Sequence, residues 1–351
     1  MKKRGKRNKR SFSSGKGKGL VPTKMLDLSK AKTVSDVLGQ MEYTSFGARS
    51  LGEAADVLCR MTADKNCFNV LTVSGAMTVA KMGCVVCDMI DSGMVDAVVT
   101  TGAVITHHFV EGLERSHFKA DPSVSDVELY HSGCNRIYDT LELEENLDDM
   151  ETVVEKVLDG IYREKTLSSA FVTNMLGQYL AGSARDRNIL KSAYLKKVPI
   201  FIPAFTDSEL GLDVAIYNRR ARSRGEKPFT FDPFLDLEHF TGVIEKQKSL
   251  GIFTVGGGVP RNWAQQVCPY LDIISNRLDA KTTFKRYKYG VRICPEPVHW
   301  GGLSGCTYQE GISWGKFVPP SEGGRWAEVY ADATIAWPLI VKAALERKAG
   351  R

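Results

Sequence analysis

Lys316 is the residue of this sequence best placed for covalent chemistry. The run Ser313-Trp314-Gly315-Lys316-Phe317 sets its amine among aromatic and small residues. A lysine that loses solvation has a lowered pKa, and its neutral amine is a nucleophile for imine formation. The same neighbours also describe a surface lysine with its stem laid along a tryptophan ring. Glu310 precedes it in the chain, and Asp207 and Asp332 each follow a run that reads as a strand. Carboxylates so placed can take ribose hydroxyls or a cationic amine. The plainer alternatives are helix caps for the two aspartates and a solvated side chain for Glu310. His107 and His108 are adjacent, so on a helix they point apart and joint metal binding is not expected, although one can face a pocket. Cys84-Val-Val-Cys87 has metal or redox spacing, but no second pair and no close histidine accompany it. The expectation there is a helix with both thiols packed in the core.

These residues need a frame. Thr33 to Met61 is patterned as helix. Phe68 to Val73 reads as a buried strand ending at Ser74-Gly75-Ala76, followed by a helix over Val79 to Ser92 that Gly93 closes. Val95 to Thr100 is a second strand ending at Thr101-Gly102-Ala103, and Val104 to Glu114 is again helical. That rhythm predicts a parallel sheet with crossover helices, hence an α/β fold. Further on, helices are expected over Met150 to Tyr162 and Asn188 to Lys196, separated by a stretch richer in Ser and Gly, and a helix end over Phe240 to Lys246. Strands are expected at Pro199 to Pro203, Ile252 to Val255, Tyr270 to Ile274, Tyr289 to Ile293 and Glu328 to Ala331, before a closing helix of Ile335 to Ala344.

In an open parallel sheet, ligands bind beyond the carboxyl ends of the strands, and small residues there admit a ligand's backbone-close approach. Gly256-Gly257-Gly258 offers N–H groups for phosphate at a helix start. It departs from G-x-G-x-x-G at the last glycine, so a glycine turn needed only for close packing fits equally well.

The formal charge of +6 conceals two regions. Residues 1–19 carry nine Lys/Arg and no acid, which leaves 38 basic against 41 acidic residues, or −3, in the remainder. Residues 1–25 therefore read as a basic, disordered, solvated arm and 26–351 as one large domain, with nucleic acid an unlikely main partner for the arm. No apolar run reaches the ~18 residues of a membrane-spanning helix, and no apolar segment follows the basic start as in a secretory signal. Eight scattered cysteines fit a reducing, cytoplasmic setting.

Six motifs then converge. Ser313 to Lys316 and Val329-Tyr-Ala-Asp332-Ala333 resemble the C-terminal region of the deoxyhypusine synthase family. So do Val99-Thr-Thr-Gly102, Asn135-Arg-Ile137, Pro203-Ala-Phe-Thr-Asp207 and Gly256-Gly-Gly-Val259, in the family's order and spacing, over roughly residues 35–345. The resemblance implies a Rossmann-like, doubly wound, mainly parallel sheet and a homotetramer with NAD and active sites at subunit interfaces. It implies NAD-dependent oxidation of spermidine, capture of the aminobutyl group on Lys316 as an imine, and delivery to an acceptor amine with return of the hydride. By position, Ser74, Thr100, Thr101, Gly102, His107, Asp207, Gly256, Gly257, Gly258, Asp332 and Ala333 match NAD contacts. Glu310, Trp314, Asn262, Leu303, Ser304 and Gly305 match the amine site.

The departures from that pattern concern the substrates. Well-known eukaryotic members carry a histidine at the place of Asn262, an acid at that of Leu303, another acid at that of His107 and an asparagine near Ala76. These changes resemble the prokaryotic deoxyhypusine synthase-like branch, including members that form homospermidine from a small diamine acceptor. The acceptor is accordingly either a lysine of the hypusine-bearing translation factor or a small amine. The alternative reading is a non-catalytic NAD-binding relative that acts as a regulatory subunit.

Overall fold

The computed structural model describes residues 20–279 and 281–350. Most of the expected basic arm, residues 1–19, lies outside them. Residues 20–26 form neither helix nor strand, and the Lys24 N–H donates to the Tyr43 carbonyl at 2.9 Å.

The chain runs α1 (Val34–Met41), α2 (Phe46–Ala63), β1 (Cys67–Val73), α3 (Gly83–Asp91), β2 (Ala97–Thr100), α4 (Gly102–Gly112), β3 (Phe118–Lys119), α5 (Asp126–His131), β4 (Cys134–Ile137), β5 (Thr140–Leu143) and α6 (Glu144–Asp159). It continues through α7 (Ser169–Ser183), α8 (Ile189–Lys196), β6 (Ile200–Phe201), α9 (Glu209–Ser223), α10 (Phe234–Glu245), β7 (Ser249–Val255), α11 (Gly258–Leu278), β8 (Tyr287–Ile293), α12 (Tyr308–Ser313), β9 (Arg325–Val329) and α13 (Ala333–Ala349).

Six strands form one sheet in the order β6-β2-β1-β7-β8-β9, and every pairing in it is parallel. Numbered within the sheet, that is 3-2-1-4-5-6, the Rossmann order. The strands are buried on both faces, as continuous apolar runs such as Val70 to Val73 require. One core packs α1, α2, α3, α7, α8 and α13 against the sheet, with Trp337 fully buried in it. A second core gathers Phe201, Phe240, Tyr287, Tyr308 and Phe317 with α11 on the other face.

Three expectations are corrected. Tyr270 to Ile274 is not a strand but part of α11, which continues through Pro269 to Leu278. The Ser/Gly-richer stretch after α6 is the helix α7, whose Gly177 lets α8 approach so closely that a Cβ would lie 2.5 Å from the Leu190 carbonyl oxygen. Cys84 is exposed while Cys87 is buried, so only one of the two thiols is core. The small antiparallel sheet β3-β5-β4 was not foreseen.

Candidate active site

The SWGK run is a helix ending built to bury its lysine. α12 closes in a Schellman motif: the Lys316 N–H donates to the Gly311 carbonyl at 3.0 Å and the Gly315 N–H to that of Ile312 at 2.9 Å. Gly315 supplies the left-handed turn, φ 68°, that this motif needs and that a β-carbon resists. The chain then runs beside the start of β8, with the Tyr287 N–H on the Lys316 carbonyl at 2.9 Å. Lys316 is only 8% exposed, so it is not a surface lysine.

Its Nζ donates to Asn262 Oδ1 at 3.0 Å and lies 5.9 Å from the centre of the Trp314 ring. Burial pulls the amine below the usual lysine range; the Arg261 guanidinium pushes the same way, while Cys306, Cys268 and Glu310 pull back. The amine opens onto a cavity of about 350 Å3 lined by Asn262, Leu303, Glu310, Trp314, Arg261 and Cys306, among others. That is within the range of small-molecule sites, about 300–1,000 Å3. Glu310 is exposed on the first turn of α12, as the plainer reading had it, yet it lines this cavity.

Arg261, Gln265 and Cys306 were missed in the sequence. Arg261 is 2% exposed and donates through Nη1 to the Leu303 carbonyl at 3.1 Å, while Arg292, also buried, donates to the Ser304 carbonyl. Two buried guanidinium groups thus hold the loop that carries Leu303, Ser304 and Gly305. No local sequence signal distinguishes these arginines from surface ones.

The glycine run adjoins that loop at the switch point between β1 and β7, where the strand order reverses. The Ser74 N–H donates to the Val255 carbonyl at 3.1 Å, and the Gly257 N–H to Ser74 Oγ at 2.9 Å. The Gly256 N–H donates to Ile293. Two of the three glycine N–H groups are therefore spent inside the protein. Gly258, first residue of α11, keeps its N–H without a partner among the described residues and has open space where a side chain would be. Gly257 is packed against Ser304, so a Cβ there would lie 2.5 Å from the Ser304 Cα.

The other expected contacts sit around the same edge. Thr100 is buried and its hydroxyl donates to the Val73 carbonyl at 2.9 Å. Thr101 caps α4, and Gly102 is held so close to Ser208 that any Cβ would meet it. Asp332 caps α13 through Thr334, as its plainer reading required, with Ala333 buried behind it; Thr334 holds the Asp332 carboxyl below its usual range. Asp207 is exposed and is not the cap of α9, which is Ser208. Asp207 follows β6 and Asp332 follows β9, the two edge strands of the sheet, which are five strand spacings or about 24 Å apart. The structure does not bring them together in one chain. His107 points to the small sheet, its Nδ1 3.1 Å from Glu142 Oε2.

A family model described as deoxyhypusine synthase matches residues 36–344. A protein of Methanosarcina acetivorans named probable deoxyhypusine synthase 2 is 35% identical over 93% of this chain and 90% of its own length. A deoxyhypusine synthase-like protein of Coxiella burnetii is 31% identical over 89% and 85%. The solved structure of a candidate deoxyhypusine synthase from Entamoeba histolytica superposes with a TM-score of 0.57 at 14% identity, covering 92% of this chain and 96% of that one, and so shares the fold. The chain belongs to the deoxyhypusine synthase family.

Proposed function

We infer that this protein transfers the aminobutyl group of spermidine, in an NAD-dependent reaction, through an imine on Lys316 to an acceptor amine. The observation that carries this is the buried Lys316 amine, lowered in pKa and facing a small cavity, in a chain of this family. The neutral amine attacks the carbon of the imine that oxidation of spermidine at its secondary amine yields. The bond from that carbon to the secondary nitrogen breaks, and 1,3-diaminopropane departs carrying the proton given up by Nζ. The aminobutyl group stays on Lys316 as an imine, and Asn262 Oδ1, which accepts from Nζ, fixes the direction of attack. Glu310 receives the ammonium end of the amine, Trp314 flanks it, and the Leu303–Gly305 loop excludes water that would hydrolyse the imine.

The carboxyl edge of the sheet fits a dinucleotide. It has the Rossmann strand order, an unpartnered Gly258 N–H at the start of a long helix, and open space where its β-carbon would stand. Ser74, Thr101 and the glycine run would hold NAD there. The chemistry supplied by bound NAD is hydride acceptance and return, which leaves the net transfer redox-neutral. Val298, Leu303 and Trp314 line the cavity and are exposed, which supports a homotetramer with a neighbouring subunit over each site.

Incubation with NAD and labelled spermidine, then borohydride reduction and peptide mass analysis, is expected to place an aminobutyl adduct on Lys316. The adduct should vanish in Lys316→Ala. A wild type that yields no adduct would favour the regulatory-subunit reading. The same mixture offered putrescine or a hypusine-type translation factor identifies the acceptor by the labelled product.

A further inference from the structure

The geometry points to a transition-metal site with two histidine ligands and one carboxylate, made by His107, His117 and Glu142, which would hold a zinc-class divalent ion. It lies outside the Lys316 cavity and joins three separate pieces of chain: α4, the turn before β3, and β5. One ligand atom from each residue lies within 4.8 Å of the other two. Glu142 Oε2 is the focus, 3.1 Å from His107 Nδ1 and 2.6 Å from His117 Nε2. A tetrahedral centre with bonds of about 2.0–2.2 Å sets its ligand atoms about 3.3 Å apart, so small shifts admit an ion.

The unusual atom is His117 Nε2. Its side chain is fully buried, and it lies 2.6 Å from Glu142 Oε2 in a close charged contact that lacks the geometry of a hydrogen bond. Both atoms can instead converge on a third point. The outer contacts are those of a metal centre. His117 Nδ1 lies 3.2 Å from Glu111 Oε1, as in the carboxylate–histidine–metal arrangement that fixes the ring tautomer. With the proton on Nδ1, it donates to Glu111 and Nε2 presents its lone pair.

Asn146 Nδ2 donates to the second oxygen of Glu142 at 2.6 Å. Lys81 pairs with Glu111 and stands 3.1 Å from His117 Nδ1. His108 is not among the ligands: its Nδ1 accepts the Ile189 N–H at 3.1 Å, and its Nε2 lies 3.7 Å from Glu111 Oε2. The partly exposed His107 ring gives a path for entry, and three protein ligands leave a fourth position for water or a substrate group. A plain buried ion cluster is the competing account.

The test uses the full chain stripped with chelator, then equilibrated with Zn(II) against a competing chelator, with Co(II) absorption as a second readout. The expected result is one ion per chain and tetrahedral or five-coordinate Co(II) bands. Affinity should fall at least 100-fold in His107→Ala and His117→Ala, and about 10–100-fold in Glu111→Gln. His239→Ala should bind as wild type, and circular dichroism of each variant separates lost binding from lost fold. A wild type that takes up less than a tenth of an ion, or a folded His107→Ala that binds like wild type, overturns the proposal.

Discussion

Gly257→Ala tests whether the glycine run and the lysine cavity share one wall. Gly257 has an extended backbone that alanine adopts freely, so the effect is steric alone. The new Cβ would lie 2.5 Å from Ser304 Cα and 2.9 Å from its Cβ and Oγ. Carbon atoms rest at about 3.5–4.0 Å, so something must yield by about 1 Å. Ser304 cannot retreat cheaply, because Arg292 holds its carbonyl and Arg261 holds that of Leu303. Overpacking of this kind costs about 1–3 kcal/mol. At about 2.1 cal/mol/K per residue, a chain of this length loses about 1.4 °C per kcal/mol, so Tm should fall by about 1–4 °C.

The larger effect is on chemistry, since a misplacement of about 1 Å costs about 100-fold in rate. The assays are thermal melting and the rate of borohydride-trappable adduct formation on Lys316. Gly258→Ala is the control for melting alone, having open space within the protein and only the strain of φ 61°, since that space belongs to the proposed dinucleotide site. It should be destabilised by about 1 kcal/mol with no movement of the loop. If Gly257→Ala melts as wild type and forms adduct within a factor of about 3 of it, the shared wall does not exist.

Three further outcomes follow from the geometry. Because burial lowers the Lys316 amine, adduct formation should rise with pH and level off below the usual lysine pKa of 10.5, as read by trapping rates across a pH series. Asn262→Asp puts a charge 3.0 Å from the amine and favours its protonated form, so adduct formation at pH 7 should slow about 10-fold or more and recover at high pH; unchanged rates at pH 7 would refute the electrostatic role. Asp213 is 3% exposed, and burial, with Glu209 and Glu151 nearby, raises its carboxyl from 3.8 to about 7. The folded state therefore binds more protons than the unfolded one between those values, so stability is lost as pH rises through that window, by up to about 1.4 kcal/mol per pH unit. Asp213→Asn should flatten that loss in denaturant titrations at pH 5 and 8, and an unaltered difference would count against it.

The sheet and its site edge were legible because parallel strands buried on both faces must be apolar runs and must end in small residues. Phe68 to Val73 with Ser74, and Ile252 to Val255 with Gly256, carry that signal in the chain. Lys316 was legible through its place in an ordered series of motifs, whereas its burial rests on the left-handed turn at Gly315 and the Schellman hydrogen bonds, which only the fold displays. Periodicity misled at Tyr270 to Ile274, where Ile273 and Ile274 favour a strand locally but α11 continues past Pro269 under tertiary packing. It also misled at α7, because Gly177 looks like a loop residue when it is the contact point of two helices. The cluster of His107, His117 and Glu142 was invisible because its members come from three separate pieces of chain, two of them in or beside a short, partly exposed sheet without alternation.

The pairing of β1 with β7 has a consequence for synthesis. The hydroxyls of Thr72 and Thr254, hydrogen-bonded at 3.0 Å across these neighbouring strands, are 182 residues apart in the chain. On the ribosome β1 emerges early, and its central edge stays open until β7 leaves the exit tunnel. Until then β1, paired with β2 on its other side, exposes an apolar, unpaired edge, which is the condition for aggregation. The switch point, and with it the floor of the site, closes only in the last third of translation. A nascent chain stalled before residue 249 should therefore engage chaperones, whereas one released after residue 329 should not.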